Sequence, residues 1–166
     1  MKNNFPSYSR KGFTLVEMLV TITIIVILAG LSLGGYNYVN AKQARSKAEI
    51  QIKLLENGLE EYKFENGDYP DSTGASSDLY EALYWDTDLD GDGADTDDDQ
   101  KIFVADLNPD ANGQGWTNGE GATATIEDPW GNEYIYVAPG VNNPDFDLHS
   151  MGPDGQSDTE DDITNY

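Results

Sequence analysis

A continuous apolar run follows the first dozen residues of the chain. It extends over residues 13–33 and contains a single charged side chain, that of Glu17. About twenty apolar residues in an α-helix span ~30 Å, the thickness of the hydrocarbon core of a bilayer. The run therefore predicts a membrane-spanning helix. A carboxylate near the start of such a helix is costly, by up to ~2.5–3.5 kcal/mol if it lay at the centre, so we expect Glu17 to have a partner and a function.

A different periodicity begins after Gly34 and Gly35. Apolar residues then recur at three- and four-residue steps, which predicts the buried stripe of an amphipathic helix. These residues are Ala44, Ala48, Ile52, Leu55, Leu59 and Tyr62. We expect one helix from residue 13 to about residue 64, ~75 Å long at 1.5 Å per residue, ended by the breakers in residues 66–70. The two adjacent glycines cost about 1 kcal/mol each in a helix, and either local melting or close helix–helix packing would account for them.

Past this helix the pattern becomes that of short elements. Residues 78–85 predict a second helix with Asp78 as its N-cap. Short β-branched or aromatic segments bounded by Gly, Pro or Asn predict strands at residues 101–105, 123–127, 133–138 and 146–150. In the third of these, alternation places Tyr134 and Tyr136 on one face and Ile135 and Val137 on the other. We therefore expect an α+β fold in which a long N-terminal helix packs on a small antiparallel sheet.

The formal net charge of -22 restricts the partners of this fold. The chain has 31 acidic and 9 basic residues, and beyond Lys63 its only cation is Lys101. Such a surface repels nucleic acid and anionic lipid headgroups, so we expect neither as a partner, and divalent cations come first. The chain has no cysteine. A small domain in an oxidising compartment would then need a staple other than a disulfide, and a metal ion is the usual substitute.

The first concentration of carboxylates has the order D-x-D-x-D-G-D and begins at residue 86. This order matches the start of a calcium loop of EF-hand type, in which alternate carboxylates converge on one cation and a glycine permits the sharp turn. An aspartate stands at the twelfth position, where a bidentate glutamate is usual. We predict Ca²⁺ ligation by the side chains of Asp86, Asp88, Asp90 and Asp97 and by the carbonyl of Asp92. The alternative is a solvated acidic loop without a metal.

The sequence RKGFTLVE at residues 10–17, followed by the apolar run, resembles the N-terminal signature of the type IV pilin and pseudopilin superfamily. The resemblance implies that a prepilin peptidase cuts between Gly12 and Phe13 and methylates the new N-terminus of Phe13. It implies a leader of residues 1–12, a transmembrane and assembly helix of residues 13–35 and a periplasmic domain of residues 36–166. It also implies that Glu17 pairs with the Phe13 amine of a neighbouring subunit. The alternatives are a plain single-pass anchor and an ordinary signal peptide.

Two further segments, residues 59–70 and 128–166, are similar to the major pseudopilins of type II secretion systems. In that family the last loop binds a structural calcium ion. The resemblance implies Ca²⁺ ligation by the side chains of Asp154 and Asp161 and the carbonyls of Met151 and Gln156, with Asp162 as a substitute. The periplasmic domain then comprises an amphipathic helix of residues 36–65, a variable acidic region of residues 71–127 and a C-terminal sheet with its calcium loop at residues 128–166. The acidic region is not well covered by the resemblance.

The sequence does not favour an enzyme, because it has no cysteine nucleophile and one histidine, His149, in a predicted strand. The resemblance implies a structural subunit of a type II secretion system that polymerises into a periplasmic pseudopilus and drives export of folded proteins. It implies a single span in the inner membrane, with the C-terminal domain in the periplasm. The implied partners are other copies of the chain, minor pseudopilins, the prepilin peptidase and the inner-membrane assembly platform with its ATPase. The alternatives are a type IV pilus subunit for adhesion or motility and an anchored, calcium-dependent surface binding protein.

Overall fold

The computed structural model describes residues 12–86, 101–111 and 113–166, without the side chains of residues 32–37. The chain divides into two units, Met1–Ala41 and Lys42–Tyr166. Helix α1, Leu15–Asn66, contributes to both units and continues through Gly34 and Gly35 without interruption. It ends where Gly67 adopts a φ of 95° and donates its backbone N–H to the Lys63 carbonyl at 2.8 Å. A glycine with positive φ is the common terminator of a helix, so the predicted end is confirmed.

The described part of the first unit is dominated by the N-terminal half of α1. Its large apolar side chains are all exposed; Phe13, for example, is 75% exposed and Leu31 is 71% exposed. The hydroxyls of Thr21 and Thr23 donate to the carbonyls of Met18 and Leu19, so these polar groups are satisfied within the helix. Among the described residues, no helical stretch combines the length and the apolar character that crossing a membrane requires.

The core of the second unit forms on one face of α1. The predicted stripe is confirmed from Ala48 to Tyr62, where each of its members is at most 5% exposed, while Ala44 is half-buried. Gly58 lies on the same face, and a β-carbon at this position would overlap the Val104 side chain. The close approach therefore requires glycine. The rest of the core is aromatic and aliphatic and includes Leu79, Tyr80, Leu83, Leu107, Trp116, Ile126, Tyr134, Tyr136 and Leu148.

Six short strands follow α1 in the described part of the chain. In chain order they are β1 (Ser72–Thr73), β2 (Thr117–Asn118), β3 (Thr125–Ile126), β4 (Ile135–Ala138), β5 (Asp147–Ser150) and β6 (Ile163–Thr164). The main sheet is antiparallel with the order β1-β4-β5-β6, and β2 pairs with β3 in a separate antiparallel ribbon. Ile135 faces His149 across β4 and β5, and His149 faces Thr164 across β5 and β6. The α+β class with a long N-terminal helix and a small antiparallel sheet is confirmed.

Three of the four predicted strands contain an observed strand. They are the segments at residues 123–127, 133–138 and 146–150, which hold β3, β4 and β5. The predicted alternation is also correct, since Tyr134 and Tyr136 are fully buried while Ile135 and Val137 are half-buried. Strands β1, β2 and β6 have only two residues each, which is too short to produce a period-two pattern.

Between the helix and the sheet, one predicted strand and one predicted N-cap are wrong, whereas the predicted second helix is found. Residues 101–105 do not form a strand, because the N–H groups of Phe103 and Val104 both donate to the Leu83 carbonyl at 3.1 Å and a 3₁₀ turn, Ala105–Leu107, follows. The second helix is α2, Ser76–Tyr80, extended by a π turn, Glu81–Trp85. Its N-cap is Ala75 and not Asp78, because the Asp78 carboxylate accepts the hydroxyl of Ser72 at 2.7 Å.

Candidate functional site

The start of α1 contains the residues predicted for processing and assembly. Gly12 and Phe13 immediately precede the helix, together with Thr14. The Glu17 carboxylate accepts both the backbone N–H and the hydroxyl of Thr14 at 2.8 Å, and the Thr14 hydroxyl accepts the Glu17 N–H at 3.2 Å. This reciprocal arrangement is a capping box, and the spacing T-x-x-E is its sequence signal. The sequence prediction gave Glu17 no partner in its own chain, and that partner is Thr14.

The second candidate site is built on the turn at residues 128–132. Asp128 is 3% exposed, and its Oδ1 accepts the backbone N–H groups of Trp130 and Asn132 at 2.9 Å. Its Oδ2 accepts the Ser150 hydroxyl at 2.6 Å. Buried polar groups need such partners, and bonds to an ionised acceptor are among the stronger ones. One carboxylate therefore joins this turn to the end of β5.

Ser150 and Asn132 extend the constraint to residues 151–162, which we call the C-terminal loop. The Ser150 hydroxyl accepts the Gly152 N–H at 3.1 Å, and the Asn132 side-chain amide donates to the Gly152 carbonyl at 2.8 Å. Gly152 has a φ of 63°, and a β-carbon there would lie 2.6 Å from the Asp161 carbonyl oxygen. The two ends of the C-terminal loop therefore meet at Gly152, where no side chain fits.

Four of the five predicted ligands in this loop converge on the hydroxyl of Thr159. Its Oγ1 lies 2.7 Å from Asp161 Oδ1, 3.2 Å from Asp162 Oδ1 and 3.2 Å from the Gln156 carbonyl oxygen. Asp154 Oδ1 is 3.5 Å away. A hydroxyl donates a single hydrogen, so most of these oxygens face Thr159 without a proton between them. Met151, the fifth predicted ligand, precedes the 3₁₀ turn Gly152–Asp154 and makes no hydrogen bond with Thr159.

Backbone groups fix the carboxylates of this cluster. Asp161 Oδ2 accepts the Asp154 N–H at 3.2 Å, and Asp162 Oδ2 accepts the Asp158 N–H at 2.8 Å. Asp158 has a φ of 66°, a conformation that aspartate tolerates better than most residues. The hydrogen bond from Thr159 outweighs partial burial and, with the Asp154 N–H, lowers the pKa of Asp161. Asp161 is therefore ionised near neutral pH.

The chemistry of this donor set fits a hard cation such as Ca²⁺. All the groups are oxygens, three of them are carboxylates, and Ca²⁺ takes six to eight oxygen ligands in a flexible geometry. Thr159 supplies a further oxygen that the sequence prediction did not include. Within the described ranges, no three or more Asp, Glu, His or Cys side chains are grouped so that they could hold a metal ion. The Thr159 hydroxyl lies at the point on which the carboxylates converge.

The C-terminal loop is closed by Asn165, which follows β6. Its backbone N–H donates to the Leu148 carbonyl at 3.1 Å, and its side-chain oxygen accepts the Leu148 N–H at 2.8 Å. Its amide nitrogen donates to the Phe146 carbonyl at 3.1 Å. The side chain of Asn165 thus continues the pairing with β5 past the last residue of β6. Helix α1 also contacts the loop, because Arg45 donates to the Asp161 carbonyl at 3.4 Å.

The first acidic stretch is described only at its start. Asp86 is 2% exposed and follows the π turn, where its N–H donates to the Glu81 carbonyl at 2.8 Å. Burial raises the pKa of the neighbouring Glu81, and the carboxylates of Asp86 and Asp78 raise it further. The other predicted ligands of this stretch, Asp88, Asp90, Asp92 and Asp97, lie outside the described residues.

His149 occupies the middle of β5, and its surroundings are those of a packed side chain. Its Nε2 is 3.4 Å from the Ser157 hydroxyl, and its buried Nδ1 has no hydrogen-bond partner. Its ring centroid lies 6.4 Å from that of Tyr166 in an edge-on contact. A catalytic histidine is oriented by a partner on one nitrogen and acts through the other. The contacts of His149 instead attach the C-terminal residues to the sheet.

Two families match parts of the sequence. Residues 96–166 match "Type II secretion system (T2SS), protein G", and residues 8–33 match "Prokaryotic N-terminal methylation motif". The second match includes Gly12, Phe13 and Glu17, and the first includes the whole C-terminal loop.

Similar proteins extend over nearly the full chain, and several are named type II secretion system core protein G. The relative from Escherichia coli K12 is 35% identical over 157 residues, which are 95% of this chain and 91% of the relative. The relative from Pseudomonas aeruginosa is 30% identical and covers 95% of each chain. A solved structure, the major pseudopilin from the type 2 secretion system of enterohaemorrhagic E. coli, is 25% identical, with a TM-score of 0.44 over 75% of this chain and 84% of that chain.

Proposed function

This chain belongs to the family of type II secretion system core protein G and is a major pseudopilin, and we propose that its copies polymerise into a periplasmic filament. It is a structural subunit and not an enzyme. The observation that carries the proposal is similarity over nearly the whole chain, together with the N-terminal methylation motif at residues 8–33. The filament would drive the export of folded proteins. Its partners would be minor pseudopilins, the prepilin peptidase and the inner-membrane assembly platform with its ATPase.

A strain that lacks the gene tests this function. We expect exported proteins to accumulate in its periplasm while surface pili persist, and the wild-type chain should restore secretion. Intact secretion with loss of surface pili would instead identify a type IV pilus subunit.

Before assembly, residues 13–35 would hold the chain in the inner membrane as a single span, with the C-terminal domain in the periplasm. The support is the apolar run with its one carboxylate and the exposure of its described side chains. Cleavage would fall between Gly12 and Phe13, and the new amine of Phe13 would be methylated. Mass spectrometry of the mature chain tests the cut, and protease added to spheroplasts tests the orientation. A mature N-terminus other than methylated Phe13 would contradict the proposed processing.

Glu17 would have two successive partners. In the isolated chain it caps α1 through Thr14, whereas in the filament it would pair with the Phe13 amine of a neighbouring copy. Pairing relieves the cost of a buried carboxylate and would favour a single axial register. The variants Glu17→Gln and Thr14→Val separate the two roles. If pairing matters, Glu17→Gln inserts into the membrane but assembles poorly, while Thr14→Val still assembles. If both variants give the same filament yield, Glu17 acts only as part of the cap of α1 and does not pair with a neighbouring copy.

We also propose that the C-terminal loop binds one Ca²⁺ ion. The ion would be held by the side chains of Asp154, Asp161 and Asp162 and by the carbonyl oxygen of Gln156. The carbonyl oxygen of Met151 would be a further ligand. The proposal is supported by the convergence of these oxygens around Thr159. The described donors to the three carboxylates are backbone N–H groups and this hydroxyl, and the one cationic side chain at the loop, Arg45, donates to the Asp161 carbonyl instead. A bound ion would neutralise carboxylates that otherwise repel one another. The first acidic stretch, with Asp86, Asp88, Asp90, Asp92 and Asp97, would be a second and independent Ca²⁺ site.

Chelation tests both calcium sites. Metal that binds only the folded state stabilises it by ~2.7 kcal/mol at a hundredfold excess over the dissociation constant. We therefore expect EDTA to lower the melting temperature, and Ca²⁺ but not Mg²⁺ to restore it. If both sites bind, Asp154→Ala and Asp88→Ala should each reduce the response. If only one site binds, the variant in that site should abolish the response and the other variant should leave it unchanged. A melting temperature that EDTA leaves unchanged would contradict both sites.

A further inference from the structure

A cavity of about 350 Å³ lies in the second unit at the C-terminal end of α1. The last turns of α1, residues 68–71 and α2 with its π turn contribute its walls, and we call it the helix-end cavity. Pockets that hold small ligands have volumes of ~300–1,000 Å³. Among the described residues that line it, none is cationic and none belongs to the C-terminal loop. Its lining includes two tyrosines and four carboxylates, those of Tyr62, Tyr69, Asp68, Asp71, Asp78 and Glu81.

Tyr62 contributes a buried polar group to this cavity. The residue is 5% exposed, and its ring packs edge-on against Phe103 at a centroid distance of 5.3 Å. Its hydroxyl forms no hydrogen bond with the residues that the structure describes. Burial raises the pKa of this hydroxyl, and the nearby carboxylate of Asp71 raises it further. Because Tyr62 and Asp71 both line the cavity, the hydroxyl is available there to a group that can donate to it.

The four carboxylates of the helix-end cavity keep their charge. None of them forms an ion pair within the described ranges. Asp78 accepts the Ser72 hydroxyl at 2.7 Å, which is a bond from a neutral donor. Burial raises the pKa of Glu81, and the carboxylates of Asp86 and Asp78 raise it further. A positive charge in this cavity would therefore meet acceptors that nothing in the described lining neutralises.

The chain has no free cation to place there. Beyond residue 53 its two cations are Lys63 and Lys101. Lys101 lies 2.9 Å from Glu61 and 2.7 Å from Glu65, and Lys63 lies 3.4 Å from Asp145. Both ammonium groups are thus engaged elsewhere, and a cation in the helix-end cavity would have to come from outside the chain.

A second cavity, of about 340 Å³, shows how a cation sits beside the same residues. It shares Asp68, Tyr69 and Asp71 with the helix-end cavity and is also lined by Lys63 and Asp145. There the Lys63 ammonium group lies 4.2 Å from the centroid of the Tyr69 ring. A cation over an aromatic face beside a carboxylate is a favourable arrangement. The helix-end cavity offers tyrosines and carboxylates of the same kind without the ammonium group.

The spacing of the carboxylates favours an organic cation over a metal ion. Within the described ranges, no three acidic side chains are grouped closely enough to hold a metal ion. An alkylammonium or alkylguanidinium group has several N–H donors and no acceptor, so it can reach carboxylates on different walls. Its carbon chain can also pack on the tyrosine rings.

The walls of the cavity are fixed by the fold. The Tyr136 hydroxyl donates to the Pro70 carbonyl at 2.8 Å, and Ser72 of β1 pairs with Ala138 of β4. These contacts hold residues 70–72 against the main sheet. On the other side, the Asn66 amide donates to the Tyr62 carbonyl at 3.1 Å and closes the last turn of α1. A site that is already ordered loses little conformational entropy when a ligand binds.

We propose that the helix-end cavity binds an organic cation of the alkylammonium or alkylguanidinium class, held by the carboxylates of Asp71 and Glu81 and by the Tyr62 hydroxyl. The site lies within one copy of the chain, so the inference does not depend on polymerisation. A free diamine and the arginine side chain of another protein both carry this chemistry. The probes of the experiment distinguish these two sources.

A nuclear magnetic resonance titration of the ¹⁵N-labelled full chain in uncharged detergent tests the site. Ca²⁺ would be present in excess, so that other carboxylate clusters are saturated before the probe is added. The probes are ethylguanidinium, putrescine and the neutral isostere ethylurea. We expect the two cations to produce saturable shifts at the amides of residues 66–71 and 78–82, and ethylurea to produce none. Tighter binding of ethylguanidinium indicates an arginine side chain as the natural ligand, and tighter binding of putrescine indicates a free diamine.

Matched variants separate the cavity from the general acidity of the surface. Asp71→Asn with Glu81→Gln should weaken binding of the cation roughly tenfold or more, because hydrogen bonds to charged acceptors are the stronger ones. Tyr62→Phe removes only the hydroxyl and should weaken binding several-fold. Asp110→Asn changes an exposed carboxylate outside the cavity and should bind the cation as the wild type does. Unchanged amide positions elsewhere in each spectrum show that the variant is folded.

Three results would overturn the proposal. The first is the absence of saturable shifts with either cation. The second is binding of ethylurea with the same dissociation constant as ethylguanidinium, which would show that the cavity does not select charge. The third is a loss of affinity in Asp110→Asn equal to that in the double variant, since the cations would then bind the acidic surface in general and not this cavity.

Discussion

Replacing Asp128 by alanine should be among the most damaging single changes in the second unit. The substitution removes an acceptor for two backbone N–H groups at 2.9 Å and for the Ser150 hydroxyl at 2.6 Å. Hydrogen bonds to a charged group contribute roughly 1.5–3 kcal/mol each and do not add fully, so we expect a loss of about 3–5 kcal/mol. With an m-value of about 2 kcal/mol per molar, the urea midpoint of the unit from Lys42 to Tyr166 should fall by roughly 2 M.

Two controls make the assay specific to this hydrogen-bond network. Asp128→Asn keeps one oxygen for the backbone N–H groups and should lose only about 1–2 kcal/mol. Asp68→Ala removes an exposed carboxylate and should stay within about 0.5 kcal/mol of the wild type. If Asp128→Ala unfolds at the same urea concentration as Asp68→Ala, the network does not stabilise the fold as argued.

Three further changes have clear expected signs. Gly58→Ala should destabilise the second unit by about 1–3 kcal/mol through overlap with Val104, and urea unfolding of the double variant with Val104→Ala should show partial recovery. Tyr80→Phe removes a buried hydroxyl without a hydrogen-bond partner, so urea unfolding should find equal or higher stability for this variant. Burial also raises the pKa of Tyr80 to about 12. The wild type should therefore lose stability between about pH 10 and 12, and Tyr80→Phe should lose less. Burial raises the pKa of Asp147, but hydrogen bonds from the N–H groups of Asn142, Asn143 and Val141 outweigh burial and lower it. The contribution of Asp147 to the stability of the folded state is therefore complete above the usual aspartate pKa and is lost as the pH falls through the lowered value. Acid unfolding of Asp147→Asn should lack that loss.

The helix and the larger strands were predictable because each has a periodic pattern that packing then uses. The stripe from Ala48 to Tyr62 is buried as its spacing indicates, and Tyr134 and Tyr136 alternate with Ile135 and Val137 as a half-buried strand requires. The segment at residues 101–105 has the composition of a strand but hydrogen-bonds to the end of the second helix. Composition does not distinguish these outcomes, because the partner of a β-like segment is set by tertiary contacts.

The candidate site was predictable in its residues and not in its connections. Asp154, Asp161, Asp162 and Gln156 were identified through the resemblance to the major pseudopilins, because two aspartates near a glycine-rich turn are by themselves only weak evidence for a metal site. The resemblance did not identify Thr159, whose hydroxyl is within 3.5 Å of all four groups, because an isolated threonine carries no pattern. The Thr14–Glu17 capping box differs, since its spacing is a recognised signal. For Glu17, the apolar sequence around it suggested a partner in a neighbouring copy, and its partner in the same chain, Thr14, was not predicted.

Four described carboxylates that accept two or more hydrogen bonds share one property that connects the calcium and filament proposals. Asp128, Asp147, Asp161 and Asp162 accept hydrogen bonds from backbone N–H groups, hydroxyls and one amide, and none of them forms a salt bridge. Neutral donors satisfy the geometry of a carboxylate but leave its charge in place. The fold therefore stabilises these four carboxylates locally without neutralising their share of the net charge of -22. In the proposed filament that charge would be concentrated further, and cations bound at the C-terminal loop would compensate part of it.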